Sequence, residues 1–161
     1  MPTTARECAD RQPISVLVVD DFPDGRDLLT EYLSFRGFDV HAARDGAEAV
    51  EMTRTLKPHI VLLDLGMPGM NGWEVARHLK SDPDTASITV IAVTAHALTP
   101  QVELAKESGC DGVICKPFDL TALGDALPRV LTDGAKALDV PGLSLTASRG
   151  RKKQSRSAEG V

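Results

Sequence analysis

Five short apolar runs punctuate the chain: ISVLVV (14–19), FDVHAA (38–43), HIVLL (59–63), ITVIAV (88–93) and GVIC (112–115). They are rich in Val and Ile, and several are apolar almost throughout. Strict alternation would mark a sheet with one wet face. A near-continuous run marks a strand covered on both faces, as in parallel sheets. Between the runs, apolar residues return at three- and four-residue steps, the spacing of one helix face. The first such stretch, about 24–36, carries Leu28, Leu29, Tyr32, Leu33 and Phe35, and Gly37 stops it. The second opens at Asp45 with Glu48 three positions on, a capping-box arrangement with Asp in the cap role. It carries Ala49, Met52 and Leu56 and ends before Pro58. The third opens at Asn71 and sets Val75 and Leu79 on one face. The fourth runs from about 97 to 108 and ends at Gly109. The fifth begins near Asp119 and repeats Leu120, Leu123, Leu127 and Val130. Pro128 sits deep in that fifth pattern. A proline there removes the hydrogen bond to Gly124 and crowds its carbonyl, so a kink or an early helix end is predicted near 124–128.

Strand and helix thus alternate five times, with no long insertion and no internal repeat. Such alternation predicts an α/β fold: a doubly wound five-stranded parallel sheet with helices on both faces. The length of 161 residues suits one domain with a full core. The pattern places a flexible N-terminus at 1–13, the domain at 14–132 and a flexible basic tail at 133–161. In that tail Gly, Pro and Ser are scattered without a clear period, with a short helix at 134–139 left open. No stretch approaches the ~18 apolar residues of a membrane span, and the first residues, MPTTARECADRQP, hold no apolar run of a secretory signal. A cytoplasmic protein is expected, without membrane partners.

Charge divides the chain in the same place. Residues 1–132 hold 12 basic and 20 acidic side chains, a net −8, whereas 133–161 hold 6 and 3, a net +3. An acidic domain argues against a nucleic-acid-binding core. The cluster Arg149, Arg151, Lys152, Lys153 and Arg156 leaves nucleic acid or an acidic protein as an alternative partner of the tail, against the plainer reading of a solubilising segment. The three cysteines, Cys8, Cys110 and Cys115, show no CxxC spacing. They suggest neither a zinc site nor a disulfide framework.

The chemistry collects where open parallel sheets bind their ligands, at the carboxyl ends of the strands. The first strand ends in Asp20 and Asp21, the third in Asp64, the fourth in Thr94 and the fifth in Lys116. Any one of these could cap a helix or form an ion pair; Asp21 or Asp24 could cap the first helix. Three carboxylates, a hydroxyl and an ammonium on one rim form a set that such separate roles do not account for. Three carboxylates against one ammonium leave two negative charges, which one divalent cation would cancel. An all-oxygen set favours Mg²⁺ or Mn²⁺ over zinc. A carboxylate in such a site is a competent nucleophile toward phosphorus.

VVDD, LLDLGMPGMNG, VTA and CKPF, in this order and at these strand ends, resemble the receiver domain of bacterial two-component response regulators. The resemblance covers about residues 14–132 and implies the flavodoxin-like strand order 2-1-3-4-5. It implies Asp64 as phosphoacceptor, Asp21 as a direct Mg²⁺ ligand and Asp20 as a ligand mainly through water. The backbone carbonyl of Gly66 would be a further ligand. Lys116 would pair with the phosphoryl group and Thr94 would hydrogen-bond to it. The Lys116–Pro117 peptide bond would be cis. The donor would be a phosphohistidine on a histidine kinase or histidine phosphotransfer protein. Output would pass through the face of the fourth helix, fifth strand and fifth helix to a downstream protein, or onward in a phosphorelay. His96, two after Thr94, is expected to tune autodephosphorylation. Val113 departs from the family, which has an aromatic residue there, so signal transmission is expected to rest on the loop at 94–99.

Rival readings fail on particular residues. A haloacid-dehalogenase-type phosphatase also forms an aspartyl phosphate, but needs a second aspartate where Gly66 stands. A flavin or dinucleotide carrier needs a phosphate loop after the first strand, and DDFPDG would repel phosphates unless a metal were bound. GxxxxGK[ST] is absent, which excludes a P-loop NTPase. A DNA-binding regulator would need a further domain, and only 29 residues follow Thr132. The expected function is a stand-alone phosphorylation switch, catalytic only toward its own phosphorylation and dephosphorylation.

Overall fold

The computed structural model describes residues 13–66, 72–95, 99–116, 118–138, 140 and 142–143. Five strands form the sheet: β1 (Ser15–Val19), β2 (Asp39–Ala43), β3 (Ile60–Asp64), β4 (Thr89–Thr94) and β5 (Gly112–Cys115). All pair in parallel in the order β2-β1-β3-β4-β5. Five α-helices alternate with them: α1 (Pro23–Phe35), α2 (Gly46–Leu56), α3 (Gly72–Ser81), α4 (Thr99–Glu107) and α5 (Leu120–Asp133). A 3-10 helix, Gly134–Leu138, follows directly.

The apolar runs behave as a doubly covered sheet requires. Val16, Val18, Ile60, Leu62, Ile91, Val93 and Ile114 point to one side and pack with α1 and α5 through Leu29, Leu33, Leu123 and Leu127. Their alternates, among them Leu17, Val19, Val61, Leu63, Val90 and Ala92, pack on the other side against Ala49, Val75, Leu79 and Ala105 of α2, α3 and α4. This division follows from handedness. The chain steps one way from β1 to β2 and the other way from β2 to β3, β4 and β5. Right-handed crossovers then place α1 on one face and α2–α4 on the other. The reversal lies between β1 and β3, and a crevice opens there at the strand ends.

Local chemistry sets the helix ends. The Asp45 carboxylate accepts from the Glu48 amide at 2.8 Å and caps α2, which ends at Lys57 in the left-handed region (φ 47°). Asp119 caps α5, accepting from the amides of Thr121 and Ala122 at 2.8 and 3.1 Å. Asn71, the expected opening of α3, lies outside the described residues. Of the apolar residues read on α1, Leu29 and Leu33 are buried, whereas Leu28 and Phe35 are exposed.

Two expectations are corrected. The fifth helix does not end near 124–128: α5 runs unbroken to Asp133 with Pro128 inside it. Burial on both sides of the proline overrides the lost hydrogen bond, since Leu123, Ala126, Leu127 and Val130 are all in the core. Gly124 also lets Arg36 approach so closely that a Cβ would lie 2.6 Å from its Nη1. Arg36 in turn holds Asp125 at 2.6 Å and the Tyr32 hydroxyl at 2.8 Å, tying α5 to α1. The second correction is the boundary at 132. Ala137, Leu138 and Leu143 are buried in the core on the α1/α5 side, so packed chain extends to Leu143. Leu138 fills the space over Gly112, where any Cβ would collide with its Cδ1. The Asp119 amide donates to the Gly142 carbonyl at 3.2 Å, bringing the segment back to the start of α5.

Candidate functional site

Strand register brings the polar strand ends to one level. Val19 pairs with Leu63 and Asp64 with Val93, and Thr94 pairs with Cys115. The next residue out from each strand therefore lands on the same rim: Asp20 beside Asp64, and Lys116 beside Thr94. Backbone bonds lock this level, from the Leu65 amide to Val93 (3.0 Å) and from the Lys116 amide to Thr94 (2.7 Å).

Asp20, Asp21 and Asp64 meet there: each offers a carboxylate oxygen, and the three oxygens lie within 4.8 Å of one another. Asp20 is buried, Asp64 half-buried and Asp21 exposed. Like charges about 4 Å apart repel by roughly 4 kcal/mol at an effective dielectric of ~20, so the cluster needs compensation. Lys116 supplies part of it, its Nζ 3.4 Å from Asp20 Oδ2 and 3.3 Å from Asp64 Oδ2. The other oxygens of Asp20 and Asp64 find amides: Asp20 Oδ1 accepts from Phe22 and Asp64 Oδ1 from Gly66, both at 2.9 Å.

These surroundings raise both titrations, for opposite reasons. Burial pushes the Asp64 carboxyl above the ordinary carboxylate value and Asp20 adds to this, while the Gly66 amide and Lys116 work against it. Burial alone would lower Lys116, but the Asp64 and Asp20 carboxylates outweigh it and hold the ammonium above its ordinary value. The donor set is hard oxygen throughout and carries excess negative charge, which fits a hard divalent cation rather than zinc or copper.

Four residues that the sequence reading passed over shape the site. Gly25 starts α1 so close to Asp20 that a Cβ would lie 3.1 Å from Oδ2. Arg26 reaches back from α1 to the Asp20 carbonyl at 2.9 Å. Gly72 lets α3 begin against the end of β3, where a Cβ would lie 2.7 Å from the Asp64 carbonyl oxygen. The second glycine of MPGMNGW was the available signal for that approach. Trp73, the next residue, lines a cavity of about 330 Å³ together with Asp64, Gly66, Thr94 and Lys116. Thr94 is itself buried. Val113 is partly buried against the core under α2–α4. His96, the Lys116–Pro117 bond and the basic cluster 149–156 rest on residues outside those described.

Comparison with known proteins places this arrangement. The family model of the response regulator receiver domain matches residues 16–128. The DNA-binding response regulator MtrA of Mycolicibacterium smegmatis is 43% identical over 103 residues, 64% of this chain and 44% of MtrA. The chain thus spans less than half the length of that relative. The polar-differentiation response regulator DivK of Brucella anthropi is 31% identical over 121 residues, 75% of this chain and 98% of DivK. Among solved structures, the chemotaxis protein CheY4 of Vibrio cholerae superimposes with a TM-score of 0.70 at 26% identity, covering 74% of this chain and 99% of that one.

Proposed function

The chain belongs to the response regulator receiver domain family, and from that premise we propose that it is a switch driven by phosphorylation of Asp64. The convergence of three carboxylates and Lys116 on one rim carries the reading. Asp20, Asp21 and Asp64, with the carbonyl of Gly66, would hold Mg²⁺ or Mn²⁺. When bound, that cation supplies the positive charge that offsets the carboxylates and the phosphoryl oxygens. An Asp64 oxygen attacks the phosphorus of a phosphohistidine on a kinase or phosphotransfer protein. The new O–P bond forms as the P–N bond breaks, and the imidazole leaves with the electron pair. Lys116, now between Asp20 and Asp64, pairs with a phosphoryl oxygen, and the Thr94 hydroxyl donates to another. His96 tunes hydrolysis of the acyl phosphate. The consequence is a change in the face of α4, β5 and α5, read by a downstream protein or passed on in a phosphorelay. The chain then acts in the cytoplasm and turns over no substrate but itself. Among the described residues no helix is long and apolar enough to cross a membrane.

Incubation with Mg²⁺ and acetyl phosphate followed by intact-mass measurement tests this. Wild type gains one phosphoryl group, whereas Asp64→Ala and EDTA-treated wild type gain none; an equal gain in Asp64→Ala overturns the assignment.

A second reading has specific support. MtrA is named as DNA-binding, and residues 133–161 carry a net +3. In that reading the cluster 149–156 contacts nucleic acid phosphates. Deleting 148–161 and measuring DNA binding at two salt concentrations separates the two, because phosphate contacts weaken steeply with salt.

A further inference from the structure

Trp73 is the chain's single tryptophan and the second residue of α3. Its side chain packs against the core under α2–α4 and helps to wall the cavity that holds Asp64, Thr94 and Lys116. The indole Nε1 is shut away from solvent, and among the described residues it has no hydrogen-bond acceptor. No other buried side-chain nitrogen or oxygen among them is left in that condition. A buried donor without a partner costs about 1–3 kcal/mol, and such a group in a native structure calls for an explanation.

The acceptors nearest in function are already engaged. Asp64 Oδ1 takes the Gly66 amide and Oδ2 faces Lys116. A phosphoryl group on Asp64 would add three acceptor oxygens to the cavity that Trp73 lines. Indole is a donor only, and a bond from it to an oxyanion is charge-assisted and strong. Val113 makes the point sharper. It stands where the resemblance places an aromatic ring, and it packs against the same core cluster as Trp73. The aromatic side chain beside Thr94's cavity therefore comes from α3.

Building on the reading of Asp64 as phosphoacceptor, we propose that Trp73 is a further anion-contacting residue of the site. Its indole N–H hydrogen-bonds to an oxygen of the group carried by Asp64, and couples that group to the first turn of α3.

With one tryptophan, the full ¹⁵N-labelled chain gives one indole N–H resonance. The probe is beryllofluoride with Mg²⁺, a mimic of the aspartyl phosphate. On its addition the indole proton moves downfield and its exchange with solvent slows. Trp73→Phe keeps an aromatic ring and loses the N–H, and it binds beryllofluoride roughly three- to tenfold more weakly, the scale of one hydrogen bond. An indole resonance that stays put while backbone amides around Asp64 shift overturns the inference and leaves the Asp64 reading standing. If no amide shifts and acetyl phosphate adds no mass, both fall together. A folded Trp73→Phe with unchanged beryllofluoride affinity also overturns it.

Discussion

Lys116 shows how one side chain is held between opposing demands. Removing its ammonium from water disfavours the charge, yet Asp64 and Asp20 lie close enough to reverse the balance. Its pairing is therefore complete at neutral pH and is lost only as pH rises beyond the ordinary lysine value. Around Cys110 the cation is outweighed: Lys80 favours the thiolate less than burial and Asp111 oppose it. Burial, with Asp111 adding to it, pushes the thiol up to about 12 from 9.0. A raised thiol favours the folded state fully below about pH 9, and that contribution is lost as pH climbs from there toward 12. Since the thiolate is the reactive species, Cys110 should resist iodoacetamide at pH 8 in the native chain and react once urea unfolds it. Peptide mapping after alkylation checks this.

At the scale of elements, α5 tests how far local rules reach. Pro128 is exposed and lies mid-helix, where proline is about 3 kcal/mol worse than alanine. Part of that is offset because proline also restricts the unfolded chain. Pro128→Ala should therefore stabilise the fold by about 1–2 kcal/mol, read as a higher urea midpoint with an unchanged slope. The sequence misled here because residue 128 argues locally, whereas Leu123, Leu127 and Val130 act through the sheet. The strands were legible for the converse reason: being covered on both faces, each reads as an unbroken apolar run. The 3-10 helix was not legible as packed chain. Ala137, Leu138 and Leu143 reach the core without any repeating step that periodicity could detect.

For the whole molecule, the site was legible because residue type and strand end coincide, as Asp20, Asp64, Thr94 and Lys116 show. What Trp73 and Gly72 do was not, since each depends on how α3 approaches the end of β3. The assembled cluster concentrates negative charge in one place, and a cation that binds only the folded chain should stabilise it by linkage. Millimolar Mg²⁺ should raise the melting temperature, and Asp21→Asn should reduce that rise. The increment should also shrink between pH 7 and pH 4. Asp64 sits above its ordinary 3.8, so falling pH lets protons compete with the cation and relieves the charge cost without it. Differential scanning fluorimetry with and without Mg²⁺ at both pH values reads all of these effects.

The turn of chain that seats Leu138 over Gly112 also bears on solubility. β5 is the last strand of the sheet, its face at Gly112 is covered by Leu138, and exposed apolar surface of that kind drives association. A version truncated after Thr132 would strip Ala137, Leu138 and Leu143 from the core and uncover that face. Light scattering should find it self-associating with rising concentration, well beyond a version ending at Leu143.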